Sequence, residues 1–574
     1  MKKPPKDLPS RQRRALLKGM AAGSLLPLLG GNLLGCSDSD DSFQPEGPGV
    51  AASFRHGVAS GDPTEDGVII WTRATPEADG LVRITWEVAE DDSFDTIVAS
   101  GSGTTSADVD YTVKVDVSGL DAGATYHYRF RVGDTSSPTG RTRLPGAGAT
   151  DNVRFAVISC SNYPAGFFNV YREIAGAELD AVLHLGDYIY EYDKDGYASE
   201  RAEEFGRVSE PENELYSLED YRTRYAQYRG DPDLQAAHGA HPFINVWDDH
   251  EIANDAWKDG AQNHDPETEG SFDDRVAAAL QAFYEWTPIR PPSTNREIIY
   301  RQFRYGDLVD LLMLDTRLIG RDLQVNYTDF YNGESIDVDT ARAAVNDSNQ
   351  ELLGGEQTDW LKDRLTNSTA RWQVLGQQVL VGRYLLPEPV TRAFAGLATP
   401  EEGISALLAS ESAKATPEPL RTPEQQALLD SALPYNPDAW DGYGFNRDEI
   451  IDHAAALGSR LVTLAGDTHN AWATQLTDSS GNPAGVEFAT ASVTSPGFDQ
   501  LGVETAALLE TPLVFLIDDL KYANLTDRGY MVVTFEQDTA TSDWIFVSSI
   551  ESTTYELLEE RANTIRVSAD DLTI

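Results

Sequence analysis

Cysteine is scarce in this chain of 574 residues, which contains only Cys36 and Cys160. If either thiol has another role, the remaining thiol cannot form an intrachain disulfide. The apolar and charged fractions, 41% and 24%, are ordinary for a globular protein. The length therefore allows two or three domains and a large apolar core.

Basic residues are also few, with 45 Lys and Arg against 93 Asp and Glu and a formal net charge of −48. A phosphate backbone selects basic patches, so this balance argues against a stable nucleic-acid partner. The charge favours solubility, including in salty surroundings, and carries no information about the fold.

The N-terminal region lacks an apolar run long enough for a confident membrane span, because Gly19 to Gly35 is short and rich in glycine. Arg13-Arg14, followed by Leu16, Leu17 and Lys18, resembles a twin-arginine export signal. Leu33-Leu34-Gly35-Cys36 resembles a bacterial lipobox, in which the cysteine is lipidated after cleavage. A Sec signal with a chance cysteine is the alternative. We expect residues 1–36 to be a signal for the twin-arginine machinery, and the mature protein to be periplasmic or on the cell surface, lipid-anchored through Cys36.

The remaining chain divides by composition and periodicity. Residues 37–50 form a polar tether with too little apolar content to fold. Residues 51–145 show strand patterns, and Tyr126 to Val132 alternates apolar and polar side chains as a half-buried strand does. This region predicts a small immunoglobulin-like or fibronectin-like sandwich. Residues 150–550 alternate strands and helices, which predicts an α/β domain. Residues 387–443 break that rhythm and are interpreted as an insertion that could act as a lid, and 551–574 as a C-terminal tail.

Four short motifs carry acidic, His, Cys and Asn side chains directly after apolar strand patterns. Chemistry in open α/β sheets lies at strand ends, so these motifs predict one site. They are Ser159-Cys160-Ser161-Asn162, Gly186-Asp187-Tyr188-Ile189-Tyr190, Trp247-Asp248-Asp249-His250-Glu251 and Gly466-Asp467-Thr468-His469-Asn470.

Each motif has an ordinary alternative. An Asp after a strand is more often a turn residue or a helix cap, and His250 alone is more often a surface or hydrogen-bonded His. His184, within an apolar run, is expected to be a satisfied core residue. Cys160 could be a small buried hydrophobe, but its polar neighbours at a strand end favour a metal ligand or nucleophile. Four such motifs in this order make coincidence a poor explanation.

The order of the motifs resembles the calcineurin-like metallophosphoesterases. The departures from that pattern, with Cys160 in the first motif, Asp249 in the third and Asp467 in the fourth, resemble the PhoD family of alkaline phosphatases and phosphodiesterases. The resemblance covers roughly residues 54–547. It implies a metallophosphoesterase β-sandwich flanked by helices, preceded by the small all-β domain, and hydrolysis of phosphate mono- or diesters.

The resemblance also implies the metal ligands. Cys160, Asp187, Tyr190 and His469 would bind Fe³⁺, and Asp187, Asp249 and Asp467 would bind Ca²⁺. A mixed sulfur, nitrogen and oxygen set suits a transition metal, whereas carboxylates suit calcium. The five anionic ligands, when deprotonated, balance the charge of the two ions.

In the implied mechanism, the metals polarise the phosphoryl group and activate a water for in-line attack. Besides the bridging Asp187, the catalytic residue would be His250, which would stabilise the transition state or protonate the leaving oxygen. Asn162 and Asn470 are candidates for substrate binding. Two rivals stay open: a dizinc phosphodiesterase or nucleotidase of the same superfamily, and a non-enzymatic surface lipoprotein whose sandwich binds a partner.

Overall fold

The structure is a computed structural model that describes residues 49–574. The predicted signal at 1–36, its Cys36, and nearly all of the tether at 37–50 lie outside the described residues. Within 49–574, no helix is long and apolar enough to cross a membrane.

Strands account for nearly all the regular structure of the N-terminal region. They are β1 Ala52–Ser53, β2 Val58–Gly61, β3 Gly67–Arg73, β4 Thr75–Pro76, β5 Val82–Ala89, β6 Ile97–Thr105, β7 Thr112–Ser118, β8 Thr125–Val132, β9 Thr135–Ser136 and β10 Gly140–Arg143.

From Asn152 onward, strands alternate with helices, as the sequence predicts. The strands are β11 Asn152–Ile158, β12 Ala181–His184, β13 Pro242–Asn245, β14 Arg301–Tyr305, β15 Val309–Met313, β16 Trp372–Gly376, β17 Leu385–Leu386, β18 Leu433–Pro434, β19 Leu461–Ala465, β20 Ala471–Thr477, β21 Pro483–Ala489, β22 Leu520–Asn524, β23 Arg528–Glu536, β24 Thr539–Val547 and β25 Asn563–Ser568. The helices are α1 Asn169–Ala175, α2 Ala202–Phe205, α3 Leu218–Arg229, α4 Pro232–Ala240, α5 Phe272–Trp286, α6 Val338–Val345, α7 Gly354–Asn367, α8 Glu388–Phe394, α9 Pro400–Ala415, α10 Pro423–Asp430, α11 Gly444–Leu457 and α12 Val503–Leu516.

Two large sheets pack face to face at the centre of the fold. One has nine strands in the order β25-β24-β23-β11-β12-β13-β2-β3-β7, and the other has seven in the order β14-β15-β16-β19-β21-β20-β22. One apolar cluster takes side chains from both, including Phe155 and Val182 from the first sheet and Val374 and Leu464 from the second. Helices cover the outer faces: α1, α3, α4 and α5 on the nine-stranded sheet, and α7, α11 and α12 on the other.

Local sequence explains where the helices begin. Ser271 accepts a hydrogen bond from the backbone N–H of Asp274 and caps α5. Ser217 and Asp220 form a reciprocal capping box at the start of α3. In β8 every second residue is buried, which confirms the alternation expected for a half-buried strand.

The N-terminal region contains the predicted sandwich, but one of its layers does not end at the predicted boundary. The sheet β10-β8-β5-β6 packs on β2, β3 and β7 through a shared apolar cluster. β2 also pairs in parallel with β13, with Pro242 opposite Ser60. The second layer of the sandwich is therefore continuous with the nine-stranded sheet.

Two further segments refine the predicted boundaries. The predicted tail at 551–574 contains β25, which pairs antiparallel with β24 as the edge of the nine-stranded sheet, so it is part of the core fold. The predicted insertion at 387–443 lies mainly between β17 and β18, which pair with each other at its base. It contains α8, α9 and α10.

Candidate metal centre

The four predicted motifs meet at the ends of β11, β12, β13 and β19. β11, β12 and β13 are neighbouring parallel strands of the nine-stranded sheet, and β19 comes from the facing sheet. The loops after β11 and β12 are joined directly, because the N–H of Cys160 donates to Gly186 O at 3.2 Å and that of Ser161 to Asp187 O at 2.8 Å. The sequence prediction that these segments converge is confirmed.

Four of the six predicted metal ligands have a left-handed backbone, with φ of 62° at Cys160, 55° at Asp187, 63° at Asp467 and 63° at His469. Residues other than glycine rarely adopt this conformation, and where the surrounding structure enforces it the residue often serves function. Gly186, at φ 109°, allows the close approach of two of the loops, since a Cβ there would lie 2.3 Å from Cβ of Asp248.

The residues predicted to bind iron lie together. Ligand atoms of Cys160, Asp187 and His469 lie within 4.8 Å of one another. The Tyr190 hydroxyl donates to Asp187 Oδ2 at 3.0 Å and lies 3.3 Å from His469 Nε2. His469 Nδ1 lies 2.7 Å from Pro496 O, a contact that requires the proton on Nδ1 and leaves Nε2 free to bind a metal.

Asp249 connects two further groups of ligand atoms. One contains Asp187, Asp249 and His250, and the other contains Asp248, Asp249 and Asp467. The carboxylates predicted to bind calcium are thus spread over two overlapping groups, with Asp248 as an additional member. The backbone N–H groups of His250 and Asp255 donate to the two oxygens of Asp249, at 3.1 and 2.7 Å, and hold that carboxylate in place.

Burial sets the electrostatics of these groups. It raises the pKa of the Cys160 thiol and the Tyr190 hydroxyl well above their usual ranges, and the nearby charge of Asp187 adds to both shifts. Burial likewise raises the pKa of Asp187 and Asp467, and the other carboxylates reinforce it. Asp187 Oδ1 is buried without a hydrogen-bond partner. A donor set of this kind fits cations, because bound positive charge favours the anionic ligand forms.

Comparison with known proteins identifies the family. Residues 155–544 match the model of the PhoD-like phosphatase, and residues 41–145 match that of the PhoD-like phosphatase N-terminal domain. Alkaline phosphatase D of Bacillus subtilis (strain 168) is 35% identical over 501 residues, which are 83% of this chain and 75% of the relative. A solved structure of PhoD superposes with a TM-score of 0.73 at 30% identity, covering 91% of this chain and 92% of the other.

The chain belongs to the PhoD-like phosphatase family. It is a phosphoric ester hydrolase of the alkaline phosphatase type. The family depends on metal ions, and the clusters around Asp187 and Asp249 offer the ligands for them.

His250 of this PhoD-like phosphatase is held by a buried carboxylate. Its Nδ1 lies 2.7 Å from Glu191 Oε2, and its ring stacks on Tyr190 with 4.2 Å between centroids. Burial would lower the pKa of His250, but Asp249, Glu191 and Asp187 outweigh it and raise that pKa well above the usual value. Glu191 is anchored by the N–H of Asn254 and the amide of Asn263, each at 2.7 Å. This arrangement fixes the ring through Nδ1, and the catalytic role of His250 stays a prediction.

The other predicted residues have less direct positions. Asn162 is fully buried, and its amide donates to Tyr197 O at 3.1 Å while its Oδ1 has no partner among the described residues. The side-chain amide of Asn470 donates to Thr468 O, and its oxygen accepts from the N–H of Phe498, so Asn470 connects two loops of the site. Binding of substrate by Asn162 and Asn470 stays a prediction. His184 is a buried core residue, as expected, and its Nε2 lies 3.0 Å from the Tyr171 hydroxyl, but its Nδ1 has no partner among the described residues.

Arg317 is the main site residue that the sequence analysis missed. It is fully buried, contacts Asp248, and lies 3.1 Å from Asp467 and 2.9 Å from Asp438. A signal for it exists, since it lies four residues beyond the buried strand β15. Glu191 was also missed. The sequence signal for it is weaker, because its position next to Tyr190 is the only indication of a role in the site.

The predicted insertion reaches this site. Phe394 of α8 packs against Tyr435 and Phe498, with 5.4 Å between ring centroids in each case. Phe498 in turn lies 6.2 Å from Trp472, two residues beyond Asn470. The insertion therefore contributes Phe394 and Tyr435 to an aromatic wall, completed by Trp472 and Phe498, beside the loop that carries Asp467 and His469.

Proposed function

We propose that this phosphatase hydrolyses phosphate mono- or diesters at a centre of Fe³⁺ and Ca²⁺, and that it works outside the cytoplasm after twin-arginine export. The observation that carries the metal assignment is the chemistry of the two ligand sets. One combines the thiol of Cys160, the imidazole of His469 and the phenol of Tyr190 around Asp187. The other consists mainly of carboxylates. Soft and nitrogen ligands suit a transition metal, whereas carboxylate oxygens suit calcium.

Once bound, the metals would supply Lewis-acid polarisation of the phosphoryl group and a nucleophilic water at alkaline pH. The residues of the chain do the remaining work. Asp187 offers ligand atoms to both sets, since it belongs to two of the ligand groups. His250, oriented by Glu191, donates a proton to the leaving oxygen or stabilises the negative charge that develops there.

The decisive experiment is metal analysis of protein purified after native export, together with assays on p-nitrophenyl phosphate and its bis-ester at alkaline pH. We expect iron and calcium in the protein and hydrolysis of the esters. Active, colourless protein loaded with zinc would refute the iron assignment while leaving the phosphoesterase intact. Metal-free, inactive protein from native export would favour a lipoprotein that only binds a partner.

Tyr190 gives a spectroscopic prediction. A phenolate on Fe³⁺ produces a charge-transfer band in the visible, so concentrated protein should look purple or violet. Tyr190→Phe should remove most of the colour and leave the fold intact, because only one oxygen is lost. Tyr192→Phe is the matched control, since the Tyr192 hydroxyl donates to Asn254 and belongs to neither ligand set. A Tyr190→Phe protein that keeps its band would exclude Tyr190 as an iron ligand.

Cys160→Ser should shift the band and weaken iron retention, because a hydroxyl is a poorer anionic ligand than a thiolate.

Export is tested at Arg13 and Arg14. Replacing both with Lys should trap the precursor in the cytoplasm, since the paired arginines followed by Leu16 and Leu17 resemble a twin-arginine signal. Cell fractionation measures the outcome. Unchanged export in a strain that lacks the twin-arginine translocase would contradict this pathway.

Anchoring is a separate prediction at Cys36. Cys36→Ala should release the protein from the membrane fraction or mislocalise it, because the acyl chains that would hold it attach to that thiol. Cys36→Ser serves as a second variant without a thiol. Membrane fractionation equal to that of the native protein in both variants would count against a lipid anchor.

A further inference from the structure

A fully buried arginine lies without a carboxylate partner where the N-terminal sandwich meets the helices of the catalytic region. Arg229 is the last residue of α3 and is 0% exposed. Its Nη2 donates to His56 O at 3.3 Å, and its guanidinium lies 4.4 Å from the centroid of the Trp71 ring. Nε and Nη1 are buried and have no hydrogen-bond partner among residues 49–574.

The acids of this part of the fold are hydrogen-bonded to other arginines. Three arginines each have an acidic partner at hydrogen-bond distance, and no ion pair joins any of these acids to Arg229. The pairs are Arg73–Asp110 at 2.6 Å, Arg207–Asp231 at 2.7 Å and Arg222–Glu285 at 2.7 Å.

Another donor near Arg229 also lacks an acceptor. Trp286 packs against Trp71 with 5.9 Å between ring centroids, and its Nε1, which can only donate, is buried without a partner. Burial raises the pKa of the Tyr128 hydroxyl, and a hydrogen bond with Ser60 and the positive charge of Arg229 partly offset that rise. Trp286 Nε1 and two N–H groups of Arg229 are therefore buried donors without an acceptor among the described residues.

We propose that Arg229 binds a monovalent anion of the size of chloride. Arginine cannot lose its proton in a protein, so burial without an anion leaves a charge that is costly to keep away from water. A water molecule would satisfy the free N–H groups but would leave the charge in place. A phosphate or sulfate dianion would exceed the single charge of Arg229. A cleft of about 300 Å³ reaches His56, whose carbonyl accepts from Arg229, and its lining includes Arg73 and Arg222 together with the acids Asp110, Glu210 and Glu219.

The anion would act as a link between three parts of the fold. Arg229 belongs to α3, Trp71 to β3 of the sandwich, and His56 to the loop before β2. The positive charge of Arg229 also opposes the rise in the Tyr188 pKa that burial causes. Occupancy should therefore stabilise the junction between the sandwich and the catalytic region.

The test measures thermal unfolding of the native protein at constant ionic strength and fixed calcium, with sodium gluconate exchanged for sodium chloride. We expect a saturable rise in Tm of roughly 1–3 °C with chloride. Arg229→Met, which keeps length but removes the charge, should lose this response. Arg222→Met is the matched control, because Arg222 is paired with Glu285 and should leave the response intact.

A crystal structure tests the anion site even if Arg229→Met does not fold. Crystals of the native protein soaked in sodium bromide should show an anomalous peak within hydrogen-bond distance of Arg229 Nε or Nη1. No such peak, with ordered water in its place and no saturable chloride effect on Tm, would overturn the proposal. A chloride effect that persists in Arg229→Met would place the anion elsewhere and overturn it as well.

Discussion

Replacing Asp187 with Asn is expected to lower kcat/KM for p-nitrophenyl phosphate by roughly 10⁴-fold or more, as happens when residues that act as a unit lose one member. Asp187 Oδ2 accepts the Tyr190 hydroxyl, and Oδ1 is buried without a partner. Asp187 is also shared between the group with Cys160 and His469 and the group with Asp249 and His250. Asn keeps the shape but has one oxygen and no charge, so it cannot hold two cations at once. Metal analysis of the variant should show loss of both ions.

A matched control lies at the other end of the same strand. Asp180 precedes β12, forms an ion pair with Arg143 at 2.9 Å and accepts the N–H of Arg154 at 2.8 Å. Asp180→Asn should lower the unfolding temperature slightly and leave kcat/KM and metal content near the native values. If Asp187→Asn retained its metals and most of its activity, the bridging role of this carboxylate would be excluded.

The sequence was sufficient to predict which strands position the site residues. β11, β12 and β19 appear as short apolar runs, and each is followed within a few residues by Cys160, Asp187 or Asp467. Parallel neighbours end at one edge of a sheet, so convergence follows from the pattern. Pairings between distant segments had no such signal. The contact of β2 with β13 joins residues about 180 positions apart, and nothing in either strand specifies its partner.

Contacts made through backbone atoms were also beyond prediction. His469 Nδ1 is held by the carbonyl of Pro496, and the N–H of Cys160 donates to Gly186 O at 3.2 Å. A carbonyl oxygen is common to every residue, so residue type gives no clue to such a partner. Loops of this kind orient metal ligands and are visible only in the folded chain.

Arg317 belongs to a set of charges that the sequence analysis did not include. The proposed Fe³⁺ and Ca²⁺ would balance the five anionic ligands. Beside them, Asp248 and Asp438 contribute two negative charges, and Arg317 and Arg321 contribute two positive charges. Arg317 neutralises part of the carboxylate cluster around Asp467. Its guanidinium also provides donors of the kind that bind phosphate oxygens at enzyme sites.

His250→Ala is expected to lower kcat by roughly 10²–10⁴-fold, the usual contribution of a general acid, while the metals stay bound. The imidazole is fixed by Glu191 through Nδ1, which leaves Nε2 as the group that can reach the leaving oxygen. The ring also stacks on Tyr190, so the visible band reports whether its removal disturbs the iron ligands. Intact colour and metal content with slow turnover would assign His250 to proton transfer or charge stabilisation.

Glu191→Gln separates the orientation of the His250 ring from the catalytic role of that ring. Glutamine can still accept a hydrogen bond from Nδ1 of His250 but carries no charge, so kcat should fall less than in His250→Ala while KM and metal content stay near native. Glu191 acts here as a positioning residue, since it contacts His250 and lies in none of the metal-ligand groups. His250 also belongs to one of those groups, with Asp187 and Asp249. Loss of a metal ion from His250→Ala would therefore make His250 a ligand and remove the general-acid assignment.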